Sequence, residues 1–141
     1  MIQLILVTSL LISSWCIGDT IHLSADKFTL NGNDQFLQAR SSVTITNKDM
    51  RLRCTTMRYD QVNHIIYASG RVNFYLDSIA VTTNQLTYHI ANKTVEFSGT
   101  SQVKQGTDYL KGSHFVVNLS DKTVISSGRT KVNISVDRVN Q

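Results

Sequence analysis

Ile66-Tyr67-Ala68-Ser69-Gly70-Arg71-Val72-Asn73-Phe74 is the stretch on which the fold turns. Every second residue is small or apolar, and a glycine stands mid-run without disturbing the alternation. The pattern returns 29 residues later as Val95, Phe97, Gly99, Ser101 and Val103, and again as Val124, Ser126, Gly128, Thr130 and Val132. One step back gives Leu37, Ala39, Ser41, Val43 and Ile45, with serine in the glycine's place. A second track keeps the same interval through Leu23, Leu52, Val81 and Leu110. A fixed period of this length marks stacked units that together bury one continuous apolar surface.

Turn residues fall at two phases of the period. Asp34, Asn63, Asn92 and Asp121 occupy one, and Asn47-Lys48-Asp49, Leu76-Asp77-Ser78 and Gln105-Gly106-Thr107 the other. These residue types tolerate turn dihedrals. They cut the chain into segments of about 14 residues, long for flat strands, so bending is expected. A mid-strand glycine suits a corner or a close backbone approach. In the intervening tracts the alternation itself slips: Leu52 and Cys54 are followed by Met57 and Tyr59, and Leu23/Ala25, Val81/Thr83 and Leu110/Gly112 behave alike. Keeping such side chains on one face needs a bulge or corner. The expectation is an all-β chain: a bent antiparallel β jelly roll, two facing sheets built as a solenoid-like stack of 29-residue hairpins. A parallel β-solenoid of the same period is the competing fold. Two short turns per period favour the antiparallel one.

Composition sets the remaining bounds. The 141 residues suit one domain, 41% are hydrophobic, and proline is absent. A net charge of +4 is spread along the chain, with no basic cluster or aromatic platform pointing to nucleic acid. Residues 1–18 are apolar and uncharged, too short for a comfortable membrane span. They read as a secretory signal peptide, with Cys16 and Gly18 at small-residue positions before cleavage at Asp19. An uncleaved anchor is the alternative. Residues 19–141 then form the β domain, with Cys54 as its only cysteine and no intramolecular disulfide. Cys54 is read as a small inward filler. His22, His64, His89 and His114 are dispersed, with no cysteine or carboxylate at ligand spacing, so no metal or cofactor is expected. No nucleophile elbow or phosphate loop appears, and an enzyme is not expected.

Several segments resemble the OstA-like family of lipopolysaccharide-transport proteins. Leu23-Ser24-Ala25-Asp26-Lys27-Phe28 is similar to its I-x-A-D opening. Tyr67-Ala68-Ser69-Gly70-Arg71-Val72 and Glu96-Phe97-Ser98-Gly99-Thr100 are similar to its x-x-G-x-V strands. Leu110-Lys111-Gly112-Ser113-His114-Phe115 resembles its I-x-G-D-x-I strands, with Ser113 for aspartate. The likeness spans residues 21 to 135. It implies a periplasmic protein that holds the acyl chains of lipid A inside the fold. It also implies end-to-end pairing, with its own copies and with OstA-like domains of the inner- and outer-membrane complexes.

The apolar tracks nominate Phe36, Leu37, Val43, Ile45, Leu52, Met57, Ile66, Val72, Phe74, Val81, Leu86, Val95, Phe97, Val103, Leu110, Phe115 and Val124 as the lipid-facing interior. Shielding matters physically because each exposed methylene costs about 0.8 kcal/mol. The strands near Ile21 to Leu30 and near Thr130 to Ile134 are expected at the open edges, where unpaired backbone groups recruit further strands. Two other readings fit the same residues. One is the membrane-anchored relative, if the leader is retained; the other is a structural β-solenoid filament with a dry core.

Overall fold

The computed structural model describes residues 21–33 and 35–134. The leader reading at residues 1–18, and the turn position Asp34, lie outside the described residues.

Among the described residues the architecture is all-β: one antiparallel sheet of ten strands. These are β1 (His22–Ser24), β2 (Lys27–Asn31), β3 (Phe36–Asn47), β4 (Met50–Asp60), β5 (Ile65–Leu76), β6 (Ile79–His89), β7 (Thr94–Gln105), β8 (Asp108–Asn118), β9 (Thr123–Ser126) and β10 (Lys131–Asn133). Six long strands, β3 to β8, pair consecutively as a meander. The parallel solenoid is therefore excluded.

The period is now explained. A 12-residue strand, a two-residue turn, an 11-residue strand and a four-residue turn make one hairpin of 29 residues. The unequal strand lengths reflect a bulge. Across β3 and β4, Arg40 faces Thr56 and Val43 faces Cys54, so Ser41 and Ser42 stand against Thr55 alone. The same offset recurs between Ser69 and Val72 and between Ser98 and Ser101. Two extra residues leave the alternation of the longer strand intact, whereas one residue shifts the shorter strand's parity. Both sequence signatures thus come from one bulge, which bends the strands.

Left-handed backbone recurs at each bend. Gly70, Gly99 and Gly128 have φ of 82°, 86° and 82°, and Ser41 and Ser42 adopt 67° and 53° in the first copy. A Cβ on Gly70 would lie 2.7 Å from the Cβ of Thr55, so glycine there answers a close approach as well as a dihedral. Carbonyls freed at the bend are taken up by hydroxyls. Thr55 Oγ1 donates to Gly70 O at 3.1 Å, Thr83 Oγ1 to Ser98 O at 3.0 Å, and Ser101 Oγ to Gly99 O at 2.9 Å. This accounts for buried Thr83 and Ser101 in an apolar core.

The four-residue turns also stack in register. Gln35, His64, Lys93 and Lys122, 29 apart, all take positive φ. Gln61 N donates to Gln35 O, Ile90 N to His64 O, and Leu119 N to Lys93 O, which links each turn to the next. Asp60 opens one such turn by accepting from the backbone N–H groups of Val62 and Asn63 and from Asn63 Nδ2. Those bonds hold its carboxyl below the usual carboxylate range. Asn31 and Asn118 play the same part at their own turns.

The bends divide the sheet into two limbs whose inner faces meet. Phe74, beyond the bend in β5, touches Phe97, before the bend in β7, edge to face with centroids 5.2 Å apart. Asn47 Nδ2 reaches Tyr88 OH across the same interior at 3.4 Å. At the rim, Lys122 of one turn row donates to Asp49 at 3.2 Å and to Asp77, both in the opposite turn row.

Candidate functional site

Alternation on each strand sends one set of side chains between the limbs. Leu37, Val43, Ile45, Leu52, Met57, Ile66, Val72, Phe74, Val81, Leu86, Val95, Phe97, Val103 and Phe115 are all buried there. Leu110 and Val124, toward the C-terminal end, are half-buried against the same cluster. Phe36 is the correction. It is one position out of phase with Leu37 and lies on the outer face, where the Arg58 guanidinium stacks 3.7 Å from its ring centroid. A large aromatic beside an inward leucine read as core, but strand parity sends it outward.

The interior is mainly apolar from β3 to β8, its polar groups being the hydroxyls of Thr83 and Ser101 and the Asn47–Tyr88 pair, and among the described residues no carboxylate or amine is buried between the limbs. Cys54 is buried at the bend, and burial pushes its thiol up to about 11, so it is a packing residue rather than a nucleophile. Such a surface discriminates mainly by hydrophobic contact, and it suits a chain of methylenes without fixing its register.

The two ends of the stack are equally distinctive. β1 and β2 both pair with β3, one on each limb, and β9 and β10 both pair with β8 in the same manner. Each terminal edge is therefore one bent strand split at the corner. Their outer backbone groups have no further strand beside them among the described residues. The sequence reading placed β1, β2 and β10 at the edges and did not single out β9. Ile125, Val132 and Ile134 on the C-terminal edge are 63%, 54% and 63% exposed.

One cluster escaped the sequence. Glu96 sits on the outer face between His114, whose Nε2 lies 2.6 Å from Oε2, and His89, 3.8 Å from Oε1. The hydrogen bond to His114 and the two imidazoles hold the Glu96 carboxyl below its ordinary range. These residues are far apart in the chain and meet only through the register of β6, β7 and β8. No group of three or more His, Cys, Asp or Glu side chains among the described residues is arranged to hold a metal ion.

A family model described as OstA-like protein matches residues 14–107. Among solved structures, the chain is similar to LptH of Pseudomonas aeruginosa, described as the LptA-homologous periplasmic component of the conserved lipopolysaccharide transport device. The two superpose with a TM-score of 0.71 at 16% identity, over 82% of this chain and 94% of that one. At that identity the likeness establishes the fold. No curated protein matches the sequence. No helix among the described residues is long and apolar enough to cross a membrane.

Proposed function

From this chain's membership of the OstA-like protein family, we propose that it is a periplasmic lipopolysaccharide carrier. The acyl chains of lipid A lie between the two limbs, and copies or related domains join end to end between the inner and outer membranes. The observation that carries this reading is the mainly apolar interior running from β3 to β8 and ending at two open edges. An interior lined mainly by hydrocarbon shields acyl chains from water and lets them slide, which transport requires and a tight specific pocket would prevent. Loading parts the limbs, so the Phe74–Phe97 contact is exchanged for contact with lipid. The bent sheet is read as a jelly roll on the same grounds, and residues 19–141 as one OstA-like β domain.

The topology supports end-to-end assembly. Counting strand directions from β2 through the meander to β9 gives opposite senses, and the same holds for β1 and β10. A second copy set against the first continues the antiparallel ladder on both limbs. A head-to-tail contact of this kind does not close and extends into a filament.

Native mass spectrometry of the chain mixed with purified lipopolysaccharide tests the carrier reading. A retained lipid that core oligosaccharide stripped of its acyl chains fails to displace is the expected result. Equal retention of the stripped oligosaccharide, or no retention of either, would overturn it.

A further inference from the structure

The outer faces of the two limbs differ in charge. On the limb before the bends, Lys27, Arg40 and Arg58 share the outward rows with Glu96 and with Asp60, which is buried in its turn. Beyond the bends, Arg51 and Arg53 of β4, Lys104 of β7, Lys111 of β8 and Lys131 of β10 all point outward and are exposed. Across the two outward rows that these strands contribute, the remaining side chains are His22 and uncharged residues, and no carboxylate stands in either. The five cations make no ion pair among the described residues.

Three of them crowd together. Lys111 is directly opposite Lys131, and Lys104 is diagonal to Lys111, since Lys111 faces Gln102. Adjacent strands lie about 4.8 Å apart, and like charges directly opposite destabilise a sheet. An arrangement that raises the local positive potential without internal relief is stabilised by an external anion. Tyr75 and Tyr109 lie in the same row as Arg51 and Lys104.

We infer that this outer face docks on the surface of a bilayer leaflet rich in anionic phospholipid. The cations stand on four separate strands of an outward-facing surface, which suits many anions in a plane better than one phosphate in a pocket. Tyrosine rings among cations match the headgroup depth of a membrane, where an apolar body and a polar tip are both satisfied. A copy docked in this way has its strand-stacking axis parallel to the bilayer, so docking holds copies that are not joined in the bridge, with the other limb toward the aqueous space. This goes beyond lipid carriage, because it concerns the outside of the fold and phospholipid headgroups rather than the interior.

Co-sedimentation of the full chain with vesicles tests it. The wild-type chain is expected to bind vesicles of about 30% phosphatidylglycerol in phosphatidylcholine and to ignore pure phosphatidylcholine, with binding that falls as salt rises. Each cation removed should weaken binding about fivefold. The variant Lys104→Gln/Lys111→Gln/Lys131→Gln should therefore lose roughly a hundredfold. Lys27→Gln/Arg40→Gln/Arg58→Gln carries the same net charge and should bind as wild type. Equal weakening of both variants would reduce the effect to net charge and overturn the inference. Binding to neutral vesicles would overturn it too, and would point to lipid capture by the interior or the leader. Indifference to every vesicle, with retention of an acidic protein instead, would assign the face to a protein partner. Far-UV circular dichroism confirms that both variants are folded.

Discussion

Replacing Gly70 by alanine should damage the fold far more than the same change at Gly99. Both glycines have left-handed φ, 82° and 86°, and a non-glycine residue there costs about 1–2 kcal/mol. Alanine also stiffens the unfolded chain, which offsets about 0.4–1 kcal/mol. Gly99→Ala meets nothing nearer than the Asn84 side chain at 3.6 Å. Its net cost is about 0.5–1 kcal/mol. Gly70→Ala sets its Cβ 2.7 Å from the Cβ of Thr55, an atom fixed to the backbone of the next strand. Relief requires the bulge to open, and overpacking of this kind adds about 1–3 kcal/mol. The total of about 2–4 kcal/mol corresponds to a fall in Tm of about 6–15 °C. Ser41→Gly should act in reverse, because it removes the dihedral strain at φ 67°. Urea unfolding followed by circular dichroism measures all three. Equal losses at Gly70 and Gly99, or none at Gly70, would refute the claim that the corners are held by close approach between neighbouring strands.

Glu96→Gln should destabilise in a pH-dependent manner. The carboxyl is held below its ordinary value of 4.5 by the hydrogen bond to His114, so its contribution is present above that value and is lost as pH falls through the lower, folded one. Thermal melts should show a gap from wild type at pH above the ordinary carboxylate value, closing as pH falls through the lower, folded one; a gap that stays constant with pH would contradict the pairing. End-to-end assembly should be trapped by Thr29→Cys/Ile125→Cys, since both positions lie on one outward row of the stacked strands. Under oxidation a ladder of oligomers is expected from the double variant and at most dimers from either single variant; equal ladders would exclude β9-to-β2 pairing.

The bent hairpin was legible because it is written twice in each period. The glycine marks the bulged strand, and the parity slip between Cys54 and Met57 marks its partner. The four-residue turns were placed from Asn63 and Asp121, although the residues that organise them are Asp60 and Asn118, three positions earlier. Phe36 was misplaced because hydrophobicity was read without strand phase. What stayed hidden depends on register between strands. Lys104, Lys111 and Lys131 are separated by 7 and 20 residues, and look like scattered surface charge until β7, β8 and β10 align. His89, Glu96 and His114 are the same case. Periodicity reveals the units, while side-chain neighbourhoods follow only from how the units pair.

Photo-crosslinking in cells from a probe residue at Phe97 tests the central claim most directly, with Glu96 as the control. Phe97 is fully buried between the limbs against Phe74, whereas Glu96 is on the outer face with His114. The account predicts a lipopolysaccharide adduct at position 97 and none at 96. A folded, exported protein that forms no adduct at 97 would contradict it and leave the interior as a dry core.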